Sequence, residues 1–199
     1  MPGSAVPAGE AEAIPAATVL GVRPGRGGLE VLMVRRPLRG LFAGVWVFPG
    51  GTVDPGDHAG KGTLAGDPFR RAAVRELFEE VGIAVEADAL AFVSRWVTPA
   101  SLPRRYDTRF YVVRLDASAS VRLATSELEE AAFITPAAAL GAHDAQQWPM
   151  VLPTVAHLRW LARFETMDAA IEATGRASLD PVSPMVTADG VPVPVDLPW

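Results

Sequence analysis

The sequence predicts an α+β fold in which a mixed β-sheet lies between helices. Three observations carry that expectation. Short β-rich runs cut by Gly/Pro clusters fill residues 17–51, a strongly signalled helix follows near residues 68–81, and later strands and helices mix without regular βαβ alternation. At 199 residues the chain suits one well-buried domain, expected over 16–175, with a leader over 1–15 and a Pro/Val-rich tail over 176–199 packed on or beside it.

Runs 17–22 and 29–35 are joined by Pro24-Gly25-Arg26-Gly27-Gly28, a turn cluster, and so predict a hairpin. Residues 45–48 form a third short strand, stopped by Pro49-Gly50-Gly51. Residues 52–66 are rich in Gly and Asp and read as a polar loop with little to bury. Asp67-Pro68 is a helix start, an acceptor at N-cap followed by proline at the first helical position, and Gly82 is a fitting stop. Strands are expected over 89–97 and 108–115, with the turn-prone 98–105 between them, and over 131–134. Thr135-Pro136 opens a brief helix, and Pro153-Thr154 begins a longer one to about residue 164 with Val155, Leu158, Trp160 and Leu161 apolar. Irregular structure is expected after Gly175.

Composition excludes several chemistries. No cysteine is present, which removes disulfides, thiolate metal sites and cysteine nucleophiles. A net charge of −5 argues against nucleic acid as a partner. No run is apolar for long enough to span a bilayer, and residues 1–15 lack the basic and apolar regions of a signal peptide. A cytoplasmic protein with no membrane partner is the expectation, with a homodimer left open. His58, His143 and His157 share no ligand spacing and read as surface or satisfied histidines.

The helix near 68–81 carries the chemistry. Val74, Leu77, Phe78 and Val81 stand at i, i+3, i+4 and i+7 and predict one apolar face for the core. Glu76, Glu79 and Glu80 share another face. That face is poorly arranged for structure alone. The Glu76/Glu80 pair costs about 0.2–0.5 kcal/mol, and carboxylates in the last turn oppose the helix dipole by about 0.3–1 kcal/mol. Arg75 offsets part of this through Glu79 at i+4, but it cannot neutralise three carboxylates. A divalent cation would, and clustered carboxylate oxygens suit Mg²⁺ or Mn²⁺. A lone glutamate pair would read as a solvated helix face. Arg75-Glu76-Leu77-Phe78-Glu79-Glu80-Val81-Gly82-Ile83, however, is a pattern met by chance in on the order of one in 10⁵ chains of this length.

These residues resemble the second half of the Nudix box, G-x5-E-x7-R-E-U-x-E-E-x-G-U with U apolar, and Phe48-Pro49-Gly50-Gly51 resembles its opening. The resemblance implies a Nudix-like α/β/α sandwich and metal-dependent hydrolysis of a diphosphate bond in a small nucleotide substrate. It implies that Glu76, Glu79 and Glu80 bind metal, that the Gly50 carbonyl reaches a metal, and that Arg75 orients a carboxylate. Glu76, Glu79 and Arg75 thereby become the catalytic candidates, Glu76 being the residue most often proposed as general base. One departure is plain. Gly51 and Arg75 lie 24 positions apart where the pattern sets 14, so ten residues are inserted. The first glutamate of the pattern then corresponds to Asp57 counting forward or Asp67 counting back, and neither is assigned catalysis.

Arg95-Trp96-Val97-Thr98-Pro99 and Arg104-Arg105-Tyr106-Asp107 resemble a branch of the family that includes peroxisomal acyl-CoA diphosphatases and also carries insertions after the paired glycines. By that resemblance Arg36, Arg104, Arg105 and Tyr106 bind substrate, with arginines gripping phosphates and an aromatic ring stacking on a base. Coenzyme A or an acyl-CoA is the leading substrate class. ADP-ribose or a nucleotide sugar is the alternative, because Pro99 lies sixteen residues after Ile83 as in a marker of ADP-ribose hydrolases. A third reading is a Nudix-fold binding or regulatory protein without catalysis, although such proteins usually lose box glutamates. Glu127 resembles a further acidic residue of relatives, with Glu129 and Glu130 competing for that place.

Overall fold

A computed structural model describes residues 12–39, 43–59, 66–123, 126–185, 187 and 196–197. Most of the expected leader, residues 60–65 of the expected loop and much of the expected tail lie outside them.

The first two strands, β1 (Ile14–Gly25) and β2 (Gly28–Arg35), form the expected hairpin, turning at Arg26-Gly27. They pair only near that turn, through Val22↔Val31 to Gly25↔Gly28, and then splay. Two short strands fill the fork: β3 (Trp46–Val47) pairs with β2, and β4 (Gly50–Thr52) pairs with β1 at Ala16, Ala17 and Thr18. Here the expected third strand shrinks to two residues, and Gly50 and Gly51, read as its stop, belong to the next. A 3-10 turn over Pro55–Ala59 follows, and then α1 (Pro68–Val81). Beyond it come β5 (Ala91–Val97), β6 (Tyr106–Arg114) and β7 (Glu130–Ile134). The chain continues through α2 (Pro136–Asp144), α3 (Leu152–Leu161), α4 (Met167–Ala173) and β8 (Pro181–Val182). The sheet runs β3-β2-β1-β6-β5-β8 with β7 on the other edge of β2, and it is mixed because β1 and β6 are parallel over Ile14↔Tyr106 to Val22↔Arg114.

Each face of the sheet has its own core. Ala17, Val19, Leu32, Tyr111 and Val113 pack under Ala72, Ala73, Leu77 and Val81 of α1. Leu20, Met33, Phe110 and Val112 pack under Ala139, Leu158, Trp160, Leu161 and Ala170 of α2, α3 and α4. Two helical layers on one sheet make the α/β/α sandwich. No helix among the described residues is long and apolar enough to cross a membrane.

α1 has the ends its sequence specifies. The Asp67 side chain accepts from the Phe69 N–H, Pro68 opens the first turn, and Gly82 closes the helix at φ 72°, where a side chain would be strained. The buried stripe differs from the expected one. Leu77 and Val81 are fully buried, but Phe78 is 54% exposed and Ala72 and Ala73 take the inner places. The helix is rolled so that Glu80 points inward to β4, and that roll carries Phe78 out to solvent. α4 is not signalled by apolar periodicity; it begins where the Thr166 hydroxyl accepts from the Ala169 N–H.

Candidate active site

The fork between β1 and β2 sets the site. β4 lies in it against β1, and α1 lies over it, so two glutamates of α1 meet two glycines of β4. The Glu80 carboxylate is 6% exposed and accepts the Gly50 N–H at 2.9 Å. Burial pushes its carboxyl up to about 8, Glu76 and Glu127 push the same way, and the Gly50 N–H and Arg36 oppose them. Glu76 is raised too, mainly by burial and against the pull of Arg75. Close approach of backbone requires glycine at 50, and at 51 a side chain would push the Glu76 carboxylate from its place. A Cβ on Gly51 would stand 2.2 Å from a Glu76 carboxylate oxygen, and one on Gly50 would stand 2.4 Å from the Ala17 carbonyl oxygen.

Arg75 ties the rest of the site together. Its guanidinium donates to both Asp57 carboxylate oxygens, to the Thr52 carbonyl, to Glu76 at 2.9 Å and to Glu79 at 3.0 Å. Burial would lower the Arg75 pKa, but the Asp57, Glu76 and Glu79 carboxylates raise it. Asp57 is 5% exposed; burial pushes its carboxyl up, yet the bonds from Arg75 and the Asp54 N–H hold it below the usual range. Asp67, by contrast, caps α1 and pairs with Arg109 at 3.0 Å. The two ways of counting through the insertion are thereby separated: Asp57 reaches the glutamate helix through Arg75, and the extra residues follow it.

These donors fit a hard divalent cation. All are oxygens, and the buried Glu80 carboxylate faces two further carboxylates with one backbone N–H bonded to it. Among the described residues no group of three or more acidic or histidine side chains is placed to hold a metal ion by itself. Glu79 in particular is half exposed and turned to Arg75. An open arrangement of this kind leaves positions for water and for substrate phosphates.

The other candidates separate clearly. Arg36, just past β2, lies in the field of Glu80. Glu129 and Glu130 are both taken by Arg35, at 3.0 and 3.1 Å, whereas Glu127 lies in the field of Glu80. Tyr106 pairs with Ile14, at the same end of β1 as β4 and on its opposite edge. Arg104 is exposed with its guanidinium 5.4 Å from the centre of the Tyr106 ring. Arg105 donates to the Thr98 carbonyl at 3.0 Å, which uses one of its donors on the loop's own backbone. Sequence reasoning missed Asp57 as the partner of Arg75. Its signal was the forward count from Gly51, which the N-cap role of Asp67 could have favoured by elimination.

Comparison with known proteins agrees with this geometry. A NUDIX domain family model matches residues 13–152. The Caenorhabditis elegans protein named "Putative nudix hydrolase 7" is 30% identical over 175 aligned positions, which cover 70% of this chain and 58% of the relative. The chain thus spans less than two thirds of that relative's length. A NUDIX hydrolase structure from Alicyclobacillus acidocaldarius superposes with a TM-score of 0.73 at 25% identity, covering 85% of this chain and 99% of that one. The NUDIX domain of Shewanella oneidensis NrtR, solved with ADP ribose, shares the fold with a TM-score of 0.57 at 15% identity, covering 76% of this chain and 87% of that one. With the family model matched over most of its length and a glutamate helix docked on paired glycines, the chain belongs to the Nudix family.

Proposed function

We propose that the protein hydrolyses a diphosphate bond in a nucleoside diphosphate linked to another group, with Mg²⁺ or Mn²⁺ as cofactor and coenzyme A or an acyl-CoA as the preferred substrate. The observation that carries the reaction class is the buried Glu80 carboxylate on the Gly50 N–H with Glu76 and Glu127 in its field, a surplus of negative charge set against close-packed glycines. Glu76, Glu80 and the Gly50 carbonyl would hold the cation, with Glu79 joining by a side-chain rotation away from Arg75. A bound divalent cation supplies Lewis-acid polarisation of a phosphoryl oxygen and neutralises developing charge. The chain's own residues do the rest. Arg75 fixes the orientation of Glu76, Arg36 offers a guanidinium to the diphosphate, and Tyr106 offers a ring to the base. No covalent nucleophile is required.

The substrate preference rests on the 104–107 segment. Coenzyme A carries a 3′-phosphate, and Arg104 is a solvent-facing guanidinium that could bind it through charge-assisted bonds. ADP-ribose is the second reading, favoured by Pro99. A nucleotide-binding regulator without catalysis is the third, and retention of all three box glutamates speaks against it.

The test is a panel of CoA, acyl-CoA, 3′-dephospho-CoA, ADP-ribose and NADH with Mg²⁺ or Mn²⁺, the products read by mass spectrometry. CoA should yield 3′-phosphoadenosine 5′-phosphate faster than ADP-ribose is cleaved. Glu79→Gln and Glu80→Gln should each lower kcat by about 10²-fold or more with the fold retained. Near wild-type turnover in both would remove the site assignment. Arg104→Ala with Arg105→Ala should cost CoA about tenfold more in kcat/KM than 3′-dephospho-CoA. An equal loss on both substrates would assign the arginines to structure or to the shared diphosphate.

A further inference from the structure

The β5–β6 hairpin ends on a rung of unusual make. Val97 faces Asp107, so Thr98 and Tyr106 are the next pair, and the Thr98 N–H donates to the Tyr106 carbonyl at 2.9 Å. An antiparallel pair of this kind returns the bond from the Tyr106 N–H to the Thr98 carbonyl. Here the Tyr106 N–H goes instead to the Thr98 hydroxyl at 3.0 Å, and the Thr98 carbonyl accepts the Arg105 Nε–H at 3.0 Å. One threonine thus serves the backbone and a guanidinium together, through its N–H, its hydroxyl and its carbonyl.

Beyond this rung the connection stands out from the fold. Residues 100–104 are exposed, Pro99 and Pro103 have no N–H to donate, and the Leu102 N–H bonds back within the turn to the Pro99 carbonyl. Tyr106 itself is fixed on both sides. The Arg105 carbonyl accepts the Ile14 N–H at 2.9 Å, and Arg95 grips the two Asp107 carboxylate oxygens at 2.8 and 2.7 Å. The two neighbouring arginines are thereby sorted. Arg105 is turned back onto Thr98, whereas Arg104 is exposed with its guanidinium 5.4 Å from the centre of the Tyr106 ring. A guanidinium beside a ring suits a stacked base that carries a phosphate on its ribose.

We propose that Thr98 is the positioning residue of this substrate loop, and that Arg104 rather than Arg105 reads the 3′-phosphate. The hydroxyl takes the Tyr106 N–H, which leaves the carbonyl to hold Arg105 and keeps Arg104 beside Tyr106. Without the hydroxyl, the Tyr106 N–H must take the Thr98 carbonyl, which displaces Arg105 and shifts the loop. The identity of the ligand rests on the coenzyme A reading; the rung does not.

Thr98→Val removes the hydroxyl at nearly constant shape, and Thr98→Ser keeps it. Calorimetry on the full chain compares 3′-phosphoadenosine 5′-phosphate with AMP, and kcat and KM are measured on CoA and 3′-dephospho-CoA. Thr98→Val should raise the Kd of 3′-phosphoadenosine 5′-phosphate and the KM of CoA by about tenfold with kcat little changed. Thr98→Ser should restore both. In ¹⁵N-arginine spectra the Arg105 Nε–H resonance, assigned by its loss in Arg105→Ala, should move in Thr98→Val and stay in Thr98→Ser. Arg104→Ala should lower the preference for a 3′-phosphate by about tenfold or more, and Arg105→Ala should keep it. The proposal is overturned if wild type does not prefer 3′-phosphoadenosine 5′-phosphate to AMP, or if Thr98→Val binds it as wild type does. Failure of Thr98→Ser to rescue, or loss of the preference in Arg105→Ala but not in Arg104→Ala, overturns it equally. Failure of the coenzyme A reading looks different: wild type would leave CoA intact while its preference for 3′-phosphoadenosine 5′-phosphate still depended on Thr98 and Arg104, which sustains the proposal.

Discussion

Asp57 and Asp67 are both aspartates beside the same helix, but the structure gives them unlike work. Asp57 is a buried partner of Arg75; Asp67 is a cap that also pairs with Arg109. Asp57→Asn should destabilise the fold by about 3 kcal/mol, because it leaves Arg75 without its least exposed counter-charge. It should also lower turnover, since Arg75 then holds Glu76 and Glu79 less firmly. Asp67→Asn keeps a capping acceptor and should leave turnover near wild type. Urea titration and steady-state kinetics on the pair check both statements, and matching losses would show that the two aspartates share one role. At Gly51 the prediction is steric. Gly51→Ala should displace the Glu76 carboxylate, whose oxygen lies 2.2 Å from the added carbon's position, and lower Mn²⁺ affinity measured by paramagnetic relaxation. The paired glycines and the glutamates were legible in the sequence because side-chain type and spacing carry that information. The partner of Arg75 was not, because ten inserted residues break the count.

At the level of elements, α1 shows what periodicity can and cannot say. Its ends followed from Asp67, Pro68 and Gly82, since caps are local chemistry. Its roll about its own axis did not, since the Glu80 bond to Gly50 competes with the apolar stripe and turns Phe78 outward. Leu77→Ala should therefore cost about 2–5 kcal/mol, whereas Phe78→Ser should stay within about 0.5 kcal/mol of wild type. Equal losses in chemical denaturation would contradict the observed roll. On the other face of the sheet, α3 is joined to β5 by a buried polar chain. The Trp96 indole N–H donates to Ser94 Oγ at 3.2 Å, the Ser94 hydroxyl meets His157 Nε2 at 2.7 Å, and His157 Nδ1 meets the Pro153 carbonyl at 2.6 Å. A carbonyl only accepts, so Nδ1 carries the proton and Nε2 accepts from Ser94. Full burial lowers the His157 pKa from 6.5 to about 4, against the opposing pull of the Pro153 carbonyl. The unfolded chain binds this proton more readily, so the contribution of neutral His157 is present above pH 6.5 and lost as pH falls to about 4. The loss amounts to about 3 kcal/mol, and His157→Phe should flatten the wild-type fall in stability across that window.

Across the whole molecule, the splayed β1–β2 hairpin and the crossing of α1 over it bring residues from β4, α1 and the 127–130 segment to one place. The chain near its end contributes as well. Leu197 is 3% exposed within the core under α3, and Arg163 donates to its carbonyl at 3.3 Å. Leu197→Ala should lower stability by about 2 kcal/mol; an unchanged unfolding midpoint would show that this residue is not part of the cooperative core.

The sequence by itself determined the α+β class, the positions of α1 and the principal strands, and the Nudix pattern of glycines, arginine and glutamates. Each of these is written in local spacing, caps and turn residues. The tertiary structure decided the rest. It decided the parallel pairing of β1 with β6, the choice of Asp57 for Arg75, the engagement of Glu129 and Glu130 by Arg35 while Glu127 lies in the field of Glu80, and the outward turn of Phe78. These depend on which segments meet across the sheet, and contacts between residues distant in sequence are set by global packing, which local periodicity does not encode.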